Sequence, residues 1–271
     1  MLALVVCVDR CDIALASDDL WSLGVIAIEE RSDTSSGQVE LWTSLGDERH
    51  SVAQAMLGLP HVGNWRFEFV DEQVAETWRR FALPTWVEDD LVVFPAWAPI
   101  EGGAGVIALS IEPGSTFGMG DHPTTMLSLR ALRRAIVPGA SIIDVGCGSG
   151  VLAVAACRLG ASHADAIDIS PAAVPIANEN AARNGVAALV TVSTTPLAEV
   201  SGVYDIVLAN ILAPTLVDLA PDLRRVLAPN GVLIVSGILS ERNAHVLDAL
   251  RPLAQVDRVD LAGWCAITLS E

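Results

Sequence analysis

Ser141-Ile-Ile-Asp-Val-Gly-Cys-Gly-Ser-Gly150 decides how this chain folds. Its apolar, β-branched start reads as a buried strand, 141–145, with Asp144 near its close. Gly146, Gly148 and Gly150 then turn the backbone tightly and let it approach a ligand closely. Residues 151–159 read as a small-residue helix ending at Gly160. The next apolar segment ends at Asp168, about 20 residues past the loop, where an acid that binds ribose hydroxyls belongs. Strand, glycine turn, helix, strand and acid make half of a nucleotide site on a parallel sheet.

The glycine spacing narrows the choice of nucleotide. A dinucleotide fingerprint needs its third glycine at position 151, which is Val151, so a nicotinamide dehydrogenase is disfavoured. The observed order, acid-x-G-x-G-x-G, resembles the S-adenosylmethionine loop of Rossmann-like methyltransferases. Asp144, Gly146, Gly148, Gly150 and Asp168 are therefore candidate cofactor-binding residues. Asp168 has the plainer alternative of capping a helix near Ser170.

Outward from this stretch, helices and strands alternate from Pro123 onward, an α/β pattern. Helices are expected over 123–136, 214–227 and 241–250, with another capped by Ser170, opened by Pro171 and closed by Gly185. Strands are expected over 164–168, 189–192, 204–209 and 232–235. The run at 204–209 is continuously apolar, as a parallel strand covered on both faces should be. Segments 255–259 and 264–269 read as an antiparallel hairpin closing the sheet. The first 70 residues follow β-α-β-β-α-β, with strands over 2–8, 25–28, 39–42 and 66–70, the order of a ferredoxin-like α+β sandwich. The expected organisation is a ferredoxin-like domain over 1–70, a linker helix and strand over 71–100, and a methyltransferase-like domain over 101–271.

Composition excludes several classes. No apolar run among the 271 residues approaches the ~18 of a membrane span. The start meets Asp9 too early for a signal peptide and reads as a strand. Cys7, Cys11, Cys147, Cys157 and Cys265 are odd in number and form no C-x-x-C, which points to reduced thiols in a cytoplasm rather than a disulfide frame or a zinc site. The formal charge is −17, every cation counted is arginine, and residues 1–101 hold 18 acids against 6 arginines. Such a body repels nucleic acid and attracts a basic partner.

Two further segments should converge on the carboxyl ends of the strands. Asn210 directly follows the 204–209 run; its carboxamide can orient a substrate amine, or simply make an Asx turn into the next helix. Phe117-Gly-Met-Gly-Asp-His-Pro-Thr-Thr125 has the glycines, the aromatic and the helix N-terminus of a binding loop; as a plain connector it needs only Asp121 or His122 as a helix cap. Cys147 lacks any neighbour that would activate a nucleophile.

Together these stretches resemble the ribosomal protein L11 methyltransferase family. The resemblance rests on Glu112-Pro-Gly-Ser-Thr-Phe-Gly-Met-Gly-Asp-His-Pro-Thr-Thr125, on the 144–150 loop, on Ile167-Asp-Ile-Ser-Pro171, on Ala209-Asn-Ile-Leu-Ala213 and on Trp264-Cys-Ala-Ile-Thr268. It implies a small substrate-recognition domain and an S-adenosylmethionine-dependent domain that methylates amines, lysine side chains or the N-terminus, of a basic ribosomal protein. Carried over by position, cofactor contacts fall on Thr125, Gly146, Asp168 and Asn210, with Phe117 in the same loop as Thr125 and Asn210 also the catalytic residue. Met119 and Asp121 depart from the family's usual threonines. Rival readings are a methyltransferase of another protein or small amine, and a non-catalytic S-adenosylmethionine-binding module.

Overall fold

The computed structural model describes residues 2–10, 12–23, 25, 28–32, 38–43, 49–57, 59, 61–69, 83–98, 100, 103, 105–112 and 122–271. The chain divides into two compact units, Met1–Ala82 and Leu83–Glu271.

The first unit runs β1 (Leu2–Asp9), α1 (Ile13–Ser22), β2 (Glu29–Ser32), β3 (Gln38–Thr43), α2 (Arg49–Met56) and β4 (Asn64–Phe69). Its four strands pair antiparallel in the order β2-β3-β1-β4, the ferredoxin-like arrangement. Side chains alternate across β1, so Leu4, Val6 and Val8 point to one face. There they pack with Ala16 and Leu20 of α1, Leu41 of β3, and Val52 and Met56 of α2. The second strand lies later than the sequence suggests. Val25 and Ile28 pack into the core outside any strand, and pairing with β3 begins only at Glu29, opposite Trp42. Apolarity there marks core contact, not ladder hydrogen bonding. The linker helix expected over 71–81 lies outside the described residues.

The second unit begins with a small sheet: β5 (Thr85–Glu88) and β6 (Leu91–Pro95) form a hairpin, and β7 (Ile107–Ile111) lies parallel to β6. Residues 83–98 therefore belong to this unit rather than to a linker. Val87, Leu91, Val93, Leu109 and Ile111 are buried in the same core as Leu127 and Leu132. β5 escapes sequence reading because only its central Trp86-Val87 is apolar.

The remainder is a three-layer α/β domain. It comprises α3 (Pro123–Ala135), β8 (Ser141–Val145), α4 (Val151–Arg158), β9 (His163–Ile167), α5 (Ala173–Arg183), β10 (Val190–Ser193), β11 (Tyr204–Asn210), α6 (Ala213–Arg225), β12 (Leu227–Leu239), α7 (Ala244–Ala249), β13 (Ala254–Leu261) and β14 (Trp264–Ser270). The strand order is β10-β9-β8-β11-β12-β14-β13. The first five strands are parallel, and the terminal hairpin inserts β14 antiparallel beside β12. Adjacent residues face opposite layers. Ile142, Leu208, Ile234 and Ala266 join the core that includes Leu127 of α3 and Val154 of α4. Their neighbours Ile143, Val207, Val235 and Ile267 join the core with Leu216 and Leu223 of α6. Strand order reverses between β8 and β11, so a ligand crevice opens at their carboxyl ends.

α5 starts at Ala173, not at Ser170. Its N-cap position is Ala172, without a side-chain cap. The Ser170 amide is instead taken by the Asp168 carboxylate at 2.9 Å. Two buried carboxamides one turn apart, Asn180 on α5 and Asn184 at its C-cap, act as a surrogate strand for the free edge of β7. Asn184 Oδ1 accepts from the Ser110 amide at 2.9 Å and its Nδ2 donates to the Ser110 carbonyl at 2.7 Å. Asn180 pairs in the same way with Glu112, at 2.8 and 2.7 Å. Asn184→Ala leaves both backbone groups of Ser110 without these partners and should cost about 1–3 kcal/mol. Urea denaturation checks this; an unmoved midpoint would mean the clamp adds nothing.

Candidate active site

The register of the central strands sets the site. Val145 of β8 pairs with Ile167 of β9 on one side and with Ala209 of β11 on the other. The next residues along the three segments, Gly146, Asp168 and Asn210, therefore stand abreast, Gly146 and Asp168 just past their strands and Asn210 as the last residue of β11. Three segments far apart in sequence thus deliver one backbone turn, one carboxylate and one carboxamide to the same edge.

The turn after β8 is pinned to the end of β9. The amides of Gly146 and Cys147 both donate to the Ile167 carbonyl, at 2.8 and 3.0 Å. The Gly148 amide donates to Asp168 Oδ2 at 2.8 Å. Gly146, Gly148 and Gly150 have φ of 73°, 51° and 76°. A Cβ on Gly146 would also collide with Ile211 Cγ2. From the other side, Asn180 Nδ2 donates to the Ser149 carbonyl at 2.9 Å, tying the loop to Glu112. Nothing in the sequence singles out Asn180, because its partners are backbone groups distant along the chain.

Asp144 lies beneath the loop rather than in the crevice. It is 1 % exposed, and Oδ2 accepts from the Ala153 amide at 3.2 Å. It thus serves α4, whose Gly150 N-cap has no side chain, by capping the first turn from the preceding strand. Its Oδ1 has no hydrogen-bond partner among the described residues. Burial, reinforced by the nearby Asp168 charge, pushes its pKa up to about 7. Burial also raises the Cys147 thiol above its ordinary range, so Cys147 stays protonated and is no nucleophile.

The crevice is lined by Thr125 of α3, by Gly146, Cys147 and Gly148 of the loop, by Val151 and Leu152 of α4, and by Asn210. It brings together the expected Thr125, Gly146, Gly148 and Asn210. Gly150 opens α4 instead, and Asp168 borders the crevice through the Gly148 amide. Phe117 lies outside the described residues. His122 is the helix cap: Nδ1 accepts from the Thr124 amide at 3.3 Å, and its ring meets Trp264 edge-on at 5.5 Å. This cap starts α3 so that Thr125 falls in its first turn. Thr125 is 1 % exposed and its hydroxyl, a buried polar atom at the crevice wall, has no hydrogen-bond partner among the described residues. Among the described residues no hydrogen bond ties the Asn210 carboxamide. Val151 and Leu152, which the sequence marks only as apolar helix residues, supply the apolar floor. Ile169, beside Asp168, is 95 % exposed.

These groups suit S-adenosylmethionine. Asp168 spends one acceptor position of each oxygen on an amide and keeps the others for ribose hydroxyls. The Asp168 carboxylate at the edge of the crevice favours a cationic ligand there. A glycine turn after the first parallel strand, an acid after the second and a reversed terminal hairpin define a Rossmann-like S-adenosylmethionine-dependent methyltransferase.

Comparison with known proteins narrows the class. Residues 33–271 match the model of the ribosomal protein L11 methyltransferase (PrmA) family. A ribosomal protein L11 methyltransferase of Symbiobacterium thermophilum is 41 % identical over 244 residues, 89 % of this chain and 78 % of the relative. One from Geobacter metallireducens is 47 % identical over 178 residues, 66 % of this chain and 58 % of the relative. The crystal structure of a ribosomal protein L11 methylase from Lactobacillus delbrueckii subsp. bulgaricus superposes with a TM-score of 0.65 at 34 % identity, covering 69 % of this chain and 97 % of that one. The chain belongs to the ribosomal protein L11 methyltransferase family.

The Asp144 pKa has a consequence for folding. Unfolded, an aspartate titrates at about 3.9, so from about pH 4 to about pH 7 the native state keeps a proton that the unfolded chain releases. Stability attributable to Asp144 therefore falls as pH rises through that window, by at most about 1.4 kcal/mol per pH unit. Asp144→Asn keeps an acceptor for Ala153 and removes the titration. Its stability relative to wild type should rise from about pH 4.5 to about pH 7.5. Denaturation curves across pH check this; a constant difference would contradict it.

Proposed function

We propose that this enzyme methylates amine groups of ribosomal protein L11 (lysine side chains or the N-terminus). The observation that carries the reading is the Asn210 carboxamide, at the crevice wall beside the Gly146–Gly148 backbone with no hydrogen bond among the described residues. A carboxamide oxygen accepts from an amine N–H and so directs the nitrogen lone pair.

S-adenosylmethionine, when bound, supplies an electrophilic methyl group on a sulfonium. Gly146, Gly148 and Thr125 would hold it, with Asp168 on its ribose; Ile169 offers an exposed aliphatic face beside that acid. Val151 and Leu152 keep water from the floor of the crevice. A lysine ammonium has a free pKa of about 10.4 and no lone pair. Desolvation in this crevice favours the neutral amine, with the released proton passing to water. Asn210 and adjacent backbone carbonyls then orient the nitrogen. Alignment rather than a strong base supplies most of the rate.

The ferredoxin-like unit is the proposed recognition domain for the acceptor. Its excess of acids suits a basic ribosomal protein. A cytoplasmic location fits the free thiols of Cys7, Cys147, Cys157 and Cys265, and no helix among the described residues is long and apolar enough to cross a membrane.

The direct experiment is intact-mass spectrometry of ribosomal proteins from a strain lacking this gene, incubated with the pure enzyme and S-adenosylmethionine. Methylene increments on ribosomal protein L11 alone are expected. Increments on another protein would reassign the acceptor, and none on any protein would overturn protein methylation. Asp168→Ala should weaken S-adenosylmethionine binding at least about tenfold, since an ionic hydrogen bond contributes about 1.5–3 kcal/mol; calorimetry showing unchanged affinity would remove Asp168 from the ribose site. Acceptor affinity should fall as salt rises from about 0.05 to about 0.5 M; a flat response would contradict electrostatic recognition.

A further inference from the structure

Between the end of β11 at Asn210 and the start of α6 at Ala213 lie Ile211 and Leu212, and Ile211 is wedged between two glycines, Gly146 of the turn after β8 and Gly237 of β12. On one side its Cγ2 methyl lies against Gly146, so closely that any Cβ at 146 would collide with it. On the other side its backbone occupies the space a Cβ on Gly237 would need: the carbonyl carbon lies 2.9 Å and the nitrogen 3.3 Å from that position, with the carbonyl oxygen closer still. Gly237 has φ of 83° and sits in a bulge of β12, where the pairing with β14 shifts between Val235 and Ile238. The bulge brings β12 up against Ile211, and the absent side chain lets the two backbones touch. Side chain against the cofactor loop and main chain against the bulge together fix Ile211 from both directions.

The residue it fixes matters more than the volume it fills. Asn210 precedes Ile211 as the last residue of β11, one position past the Ala209–Val145 pair and so abreast of Gly146. With no hydrogen bond of its own among the described residues, the Asn210 carboxamide takes its position from the backbone of this segment. We infer that Ile211 is a positioning residue, whose β-branch methyl seated on Gly146 sets the Asn210 carboxamide relative to the cofactor-loop backbone. The inference rests on the proposed role of Asn210 for its catalytic consequence, but not for its geometry.

Branching makes the idea testable. Valine keeps the methyl that touches Gly146 and shares isoleucine's stiff χ1. Leucine keeps the volume and loses that methyl. A side chain that only fills core would rank leucine at least equal to valine, with alanine worst. A positioning methyl ranks valine first, with leucine and alanine both impaired.

The experiment uses the full chain as wild type, Ile211→Val, Ile211→Leu, Ile211→Ala and Asn210→Ala. Two readouts are taken: the NMR positions of the Asn210 side-chain NH2 and the Gly146 amide, and kcat and KM with S-adenosylmethionine and unmodified ribosomal protein L11. The inference predicts that both resonances stay in place in Ile211→Val and move in Ile211→Leu and Ile211→Ala. It predicts kcat lowered roughly 10- to 100-fold in the latter two, with KM for S-adenosylmethionine within about threefold and activity restored by valine. Resonances that stay in place in Ile211→Leu, or a kcat order with leucine equal to valine, would overturn it. Asn210→Ala with wild-type kcat would instead refute the catalytic role of Asn210, and the NMR comparison would still decide whether Ile211 sets its position.

Discussion

The Ile167 carbonyl accepts two amide hydrogens from the turn that follows the neighbouring strand, from Gly146 and Cys147, and the Asp168 carboxylate takes the third in line, from Gly148. The rest of the active-site edge is built on this clamp. Three consecutive amides leave β8 already committed to β9, so the backbone must turn left-handed to reach α4, and glycines occupy the left-handed positions. The turn delivers the start of α4 directly over β8, where buried Asp144 can reach the Ala153 amide and replace the capping side chain that Gly150 lacks.

That arrangement brings two carboxylates to the loop, Asp168 at its edge and Asp144 beneath it. Asp168 lies close enough that its charge disfavours ionisation of Asp144 beyond what burial alone does. A protein stabilised only for folding would gain from a neutral residue at 144. The cost to stability sets in above about pH 4 and is complete by about pH 7. The apolar walls from Val151 and Leu152 lower the local dielectric and strengthen the same effect.

Much of this was legible in the sequence, and the limits were physical. The strand at 141–145, the glycine turn, the acid at 168 and the asparagine at 210 are local patterns, and they stand where periodicity and spacing put them. Their meeting is a matter of register, Val145 opposite both Ile167 and Ala209, which no local pattern encodes. Asn180, Asn184 and Gly237 escaped notice for the same reason: their partners are backbone atoms brought close only by the fold. The acid of the motif at Asp144 has the spacing of a ligand contact, but its carboxylate serves α4 from below. The apolar run at 25–28 has the pattern of a strand because buried coil and buried strand look alike when they are four residues long. Ser170 lost its expected capping role to Asp168, whose carboxylate reaches both the loop and the Ser170 amide.

The central claim is that the crevice between the Gly146–Gly150 turn, Thr125 and Asn210 holds S-adenosylmethionine. Amide NMR on the uniformly labelled chain during titration with S-adenosylhomocysteine tests it most directly. The account predicts saturable shifts centred on the amides of Gly146, Cys147, Gly148, Thr125 and the residues after Asp168, together with the Asn210 side-chain NH2. Saturable shifts centred elsewhere, with these resonances unmoved, would contradict it.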